Sequence, residues 1–81
     1  MSQFLLYCEH TAEECEELGK EYEVYGVPGP VKGQDYYCSC PYGFHAGWVV
    51  VEAASREHAM ASLPPLNRAH TKAYQVETMR F

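Results

Sequence analysis

Along this chain the spacing of apolar positions switches between the two-residue period of a strand and the 3.6-residue period of a helix, and the switches predict the order βαββαβ. Gln3 to Glu9 (Gln-Phe-Leu-Leu-Tyr-Cys-Glu) is a short run rich in aromatic and aliphatic residues, which predicts a buried first strand. Thr11 and Glu14 follow in the Thr-x-x-Glu spacing of a capping box, whose side chains satisfy orphan amides at a helix start. A helix is therefore expected from Ala12 to Tyr22 or a little beyond, with Cys15, Leu18, Tyr22 and, if it runs on, Tyr25 as its inward stripe. Glu13, Glu14, Glu16 and Glu17 stand in its first turns, where the dipole favours negative charge. Gly26-Val27-Pro28-Gly29-Pro30 cannot continue the helix and reads as a loop.

From Val31 to Cys40 a second strand is expected, with Tyr36, Cys38 and Cys40 on one face and Tyr37 and Ser39 on the other. Pro41-Tyr42-Gly43 is turn chemistry and predicts a hairpin into Gly47 to Ala53, the most strongly β segment and a central strand of its sheet. Ser55 can cap a second helix from Arg56 to Leu63, with Ala59, Met60 and Leu63 inward and Pro64-Pro65 as its stop. Leu66 to His70 reads as irregular, and Thr71 to Phe81 as the last strand. Two interleaved βαβ-type units give an α+β, ferredoxin-like fold over residues 1–81. It is a four-stranded antiparallel sheet of order 4-1-3-2 with two helices on one face.

That topology collects chemistry at one end of the sheet. The end of the first strand and start of the first helix bring Cys8, His10 and Cys15; the hairpin brings Cys38, Cys40 and His45; the start of the last strand brings His70. His58 begins the second helix at the opposite end. Cys-x-His-x4-Cys and Cys-x-Cys-x4-His are not zinc-finger spacings, and Cys8 or Cys15 taken singly reads as a small buried hydrophobe. The seven together predict a transition-metal site. Zinc suits a closed tetrahedral Cys/His set, whereas copper, nickel or iron suits one with an open position. Two other readings stand beside it. One is a small enzyme acting on an organic ligand, with His10 or His45 as acid/base, Cys15 as nucleophile, and an apolar pocket lined by Tyr7, Tyr36 and Trp48. The other is an association module whose thiols are redox-active.

Composition narrows this further. With 6 basic and 11 acidic residues the net charge is −5, and no Lys/Arg cluster offers a footprint for nucleic acid. No apolar run approaches a membrane span, and Met1 to Tyr7 lacks the features of a signal peptide, so a reducing cytoplasm with free thiols is expected. Eighty-one residues with helices on one sheet face leave the other apolar face bare, which predicts a homodimer or higher homo-oligomer, most simply a twofold pair.

The motif His10-Thr11-x-Glu13-x-Cys15 after a first strand resembles one in a group of small ferredoxin-like proteins of the dimeric α/β-barrel superfamily, a group without a settled activity. His45 before a strand ending in Glu52-Ala53, and Pro64-Pro65 followed by His70-Thr71 before a final strand, extend the resemblance over most of the chain. The resemblance implies a main polar set of His10, Cys15, His45 and His70. This chain departs from the pattern in its Pro-Gly-Pro loop and in the added Cys8, Cys38 and Cys40.

Overall fold

The computed structural model describes residues 1–81. Its strands are β1 (Ser2–Glu9), β2 (Tyr36–Cys38), β3 (Ala46–Ala53) and β4 (Thr71–Val76), and its helices α1 (Ala12–Tyr25), α2 (Arg56–Ala61) and α3 (Pro65–His70). The strands form one antiparallel sheet in the order β2-β3-β1-β4, which is the expected 4-1-3-2 read from the other edge.

Alternation of side chains sorts the sheet into two faces. Phe4 and Leu6 of β1, Val49, Val51 and Ala53 of β3 and Ala73 of β4 point to one face and form the core with Ala59, Leu63 and Val31. Across the pleat, Leu5 pairs with Val50 and Tyr74, and Tyr7 with Trp48 and Lys72, on the face that carries no helix. A one-residue slip of register would send Phe4 and Leu6 to that bare face, so burial of one face specifies the pairing.

Local signals account for most boundaries. Thr11 caps α1 as expected: Glu14 N–H donates to Thr11 Oγ1 at 3.2 Å, and Thr11 N–H to Glu14 Oε1 at 2.8 Å. Leu18 is the one fully buried residue of α1, a contribution of about 1.5–3 kcal/mol. His58 N–H donates to Ser55 Oγ at 3.1 Å, which starts α2.

Three expectations are corrected. The helices number three, because Pro65 opens a new helix at its first position, where the missing N–H costs nothing, in the stretch that reads as irregular. The second strand is three residues long rather than ten. Val31 turns into the core, Gly33 takes φ 84°, and Lys32 N–H and Gln34 N–H bond within the turn to Pro28 and Val31 carbonyls. The last strand ends at Val76, opposite Gln3 at the start of β1, and the residues beyond it run past the beginning of their partner strand.

One interaction between helices was invisible to periodicity. Glu21 of α1 accepts the amides of Leu66 and Asn67, both at 2.8 Å, and so caps α3, which has no side-chain cap of its own. The buried Asn67 side-chain amide donates to Glu21 Oε1 at 2.8 Å and to the Leu18 carbonyl at 3.1 Å. Burial opposes charge on Glu21, but the Leu66 and Asn67 donors outweigh it and hold its carboxyl below the ordinary 4.5. Asn67→Ala is expected to lower unfolding free energy by about 1–3 kcal/mol in urea titrations, because a buried carbonyl and a carboxylate lose their donor. A depressed carboxylate stabilises the fold above pH 4.5 and loses that contribution as pH falls through its lower folded value. The stability gap between wild type and Glu21→Gln should therefore be constant from pH 6 to 8 and shrink below about pH 4.5.

Candidate metal centre

The site grows out of the β1–β3 pairing. Its last pair is Glu9 with Ala46, so the residues that leave the ladder together are His10 and His45. His10 N–H donates to the His45 carbonyl at 3.1 Å, and the two rings lie 5.9 Å apart between centroids. One turn into α1, Cys15 N–H donates to the Thr11 carbonyl at 3.0 Å, which fixes Cys15 beside the histidines.

Cys40 arrives by a different route from the one the strand pattern predicts. The chain leaves β2 at Cys38 and coils into a one-turn 3-10 helix, Cys40–Tyr42, for which proline's fixed φ at position 41 is suited. Gly43 closes the turn at φ 101°, with its N–H donating to the Cys40 carbonyl at 3.2 Å. Ser39 Oγ secures the loop by donating to the Phe44 carbonyl. Cys38 and Cys40 therefore do not share a strand face, and Cys40 Sγ comes to 3.4 Å from His10 Nε2.

His10, Cys15, Cys40 and His45 each offer one donor atom, and these atoms all lie within 4.8 Å of one another. A zinc ion bonded at ~2.0–2.1 Å to nitrogen and ~2.3 Å to sulfur in a tetrahedron holds its ligand atoms about 3.3–3.8 Å apart. The Cys40–His10 edge already has that length. All four residues are partly buried, and His45 Nδ1 is a buried nitrogen without a hydrogen-bond partner. Such an atom is costly in a protein interior unless something bonds to it, and a metal ion would do so. Burial first, and then the neighbouring His45 and His70, push the His10 imidazole below its ordinary value despite Glu14 nearby, which favours the neutral, ligating form. The rings border an open cleft of about 510 Å³ lined by Glu9, His10, Thr11, Glu14, Gly43, Phe44 and His45, a route for an ion from solvent.

The other three sequence candidates sit around the quartet. Cys8 is buried, with Sγ 3.7 Å from His10 Nδ1, on the ring nitrogen opposite the one facing Cys40. Burial raises its thiol, so it stays neutral and orients the ring as an outer partner. His70 Nε2 lies 3.0 Å from Glu14 Oε2, drawn to the carboxylate whose other oxygen closes the capping box. Cys38 lies on the edge strand, where burial and the neighbouring Cys40 raise its thiol. All four cysteines are free thiols. Glu14, assigned by the sequence only to capping, also borders the cleft and contacts His70; a capping glutamate four residues after His10 does not reveal the distant His70. Tyr7 and Trp48, expected to line a pocket with Tyr36, stack instead on the bare face with centroids 5.5 Å apart.

No family model, curated protein or solved structure matches the chain, and the resemblance to the dimeric α/β-barrel superfamily rests on its short motifs alone.

Because the capping box sets both the helix start and Cys15, Thr11→Ala is expected to cost about 1 kcal/mol in stability. Hydrogen exchange should show the loss concentrated in the amides of Glu13, Glu14 and Cys15, with the β1 and β3 amides unchanged.

Proposed function

We propose that this chain is a small ferredoxin-like, transition-metal-binding protein whose ligands are His10, Cys15, Cys40 and His45, with zinc as the natural fit. The observation that carries it is the mutual approach of four borderline-to-soft donors within 4.8 Å, two from the β1–α1 junction and two from the β2–β3 connection. Two thiolates and two neutral imidazoles are a closed set for a tetrahedral ion without geometric preference of its own. Such a set is compatible with the reducing, cytoplasmic setting read from the cysteines. Cys8 against His10 supplies the outer-shell contact that fixes a ligand's ring, as second shells do in metal sites.

Metal-free, reduced protein is expected to take up one zinc or cobalt ion per chain, the cobalt form showing tetrahedral and thiolate-to-metal absorption bands. Cys40→Ala and His45→Ala should weaken zinc by more than the roughly 10–100-fold that loss of an outer-shell partner costs, while Cys8→Ala stays within that range. Cys38→Ala and His70→Ala should leave affinity unchanged. Because binding displaces thiol protons, affinity should fall as pH drops from 8 to 6. Failure of every first-row ion to bind under these conditions removes the proposal.

The bare sheet face supports a second reading at the level of assembly: pairing with another copy of this chain. Val50 (39%), Tyr74 (47%), Tyr37 (65%) and Phe44 (51%) are exposed there around Trp48 and Leu5, with Gln3, Glu52 and Lys72 at the rim. The chain measures 34 × 29 × 20 Å, and its broad dimensions accommodate the ~800 Å² per partner of a standard interface. A twofold pairing is self-complementary and closes. Light scattering at micromolar concentration should give twice the 9.2 kDa chain mass, and Val50→Glu should return it to one.

A further inference from the structure

The largest apolar opening is bordered by Cys15 and by none of the histidines. Positions 15, 18, 19 and 22 of α1 fall on one helical stripe, and across from it stand Cys8, Tyr36 and Val31. Between them is a cavity of about 550 Å³, within the range that holds drug-sized ligands. β2 beside it is only three residues long, and α1 is anchored to α3 through Glu21.

Its wall carries almost no charge. Lys32, exposed at the rim, is the one charged residue among the thirteen that line it. The phenols of Tyr22 and Tyr36 are pushed up first by burial, then in Tyr22 by Cys8 and Glu21 and in Tyr36 by Tyr22 and the thiols, and so remain neutral donors. The Asn67 amide group is already engaged with Leu18 and Glu21. A carboxylate or phosphate would find no built partner inside, whereas an uncharged apolar molecule would meet apolar side chains with a few phenolic and thiol hydrogens for orientation.

We propose that the cavity between α1 and β2 is a binding site for a neutral, largely apolar small molecule, which lies against the sulfur of Cys15 and therefore beside the His/Cys quartet. The proposal goes beyond metal binding and does not rest on it, since Cys15 is the one side chain common to the cavity wall and the quartet.

Gly19 provides the test. It lines the cavity, and a Cβ built there meets nothing within 4 Å, so a larger side chain can enter the space without a clash while improving helix propensity. Phenylnaphthylamine, an uncharged fluorescent probe, is titrated into full-length wild type, Gly19→Leu and the double variant His10→Ala/His45→Ala. Saturable binding at one probe per chain is expected for wild type and the double variant, with at least tenfold weaker binding for Gly19→Leu at undiminished thermal stability. The anionic analogue anilinonaphthalene sulfonate should bind wild type more weakly than the neutral probe. In wild type itself, intermolecular NOEs should connect the probe to the Leu18 methyls and the Tyr22 ring. No saturable binding, equal binding by a folded Gly19→Leu, or NOEs confined to Trp48 and Tyr74 of the bare sheet face overturns the proposal. Loss of zinc binding with retained probe binding in the double variant separates this site from the metal reading.

Discussion

The antiparallel pairing of β1 with β3 is the constraint on which the rest of this molecule depends. Its register runs from Ser2 opposite Ala53 to Glu9 opposite Ala46, and it is held by apolar residues on the helix-covered face. His10 and His45 are the next opposed positions after the ladder ends, and a backbone hydrogen bond of 3.1 Å joins them. Burial of Phe4, Leu6, Val49 and Val51 thus specifies where two imidazoles meet. No side-chain interaction between the histidines is needed to place them. The same register keeps Cys8 on the core face, at reach of His10 from below.

Much of this was legible because it is encoded locally. The apolar, β-rich runs of β1 and β3, the Thr11–Glu14 capping box and the Ser55 cap are short-range patterns, and each appears where the sequence places it. Antiparallel crossover topology then gathers the chemistry-bearing connections at one end of the sheet, which is why all four members of the quartet were among the seven candidates. The selection of four from seven was not legible. His70 is taken up by Glu14, and Cys38 and Cys40 part company where the strand yields to a 3-10 turn; both outcomes depend on where distant backbone comes to rest.

The features the sequence concealed share a cause: they join segments with no common period. Glu21 and Asn67 are forty-six positions apart, and on a helical wheel Glu21 is one more solvated glutamate of an acidic helix. Only the arrival of a proline-initiated helix with bare amides turns it into a cap. Similarly, the stretch beginning at Val31 reads as strand, but Gly33 at positive φ breaks it, and Val31 enters the core as a single anchor. Hydrophobicity alone cannot tell a residue anchored from a turn from one embedded in a ladder.

These two concealed features together explain how α1 can border open space without collapsing on it. The polar ties of the helix run toward α3: Glu14 reaches His70 at its end, Glu21 receives Leu66 and Asn67 at its start, and the Leu18 carbonyl accepts the Asn67 side-chain amide. None of these ties draws α1 down onto β2, and the edge strand is too short to follow the helix along its length. The outcome is a helix fixed at its first turn by a capping box and at its middle by a buried amide, with a single apolar side chain, Leu18, fully committed to the interior. Cys15, on the turn between those fixtures, borders the imidazoles and an uncharged cavity alike. A thiol in that position meets a polar and an apolar environment at once, and the geometry that produces this is held by hydrogen bonds rather than by close packing, so the space beside it persists.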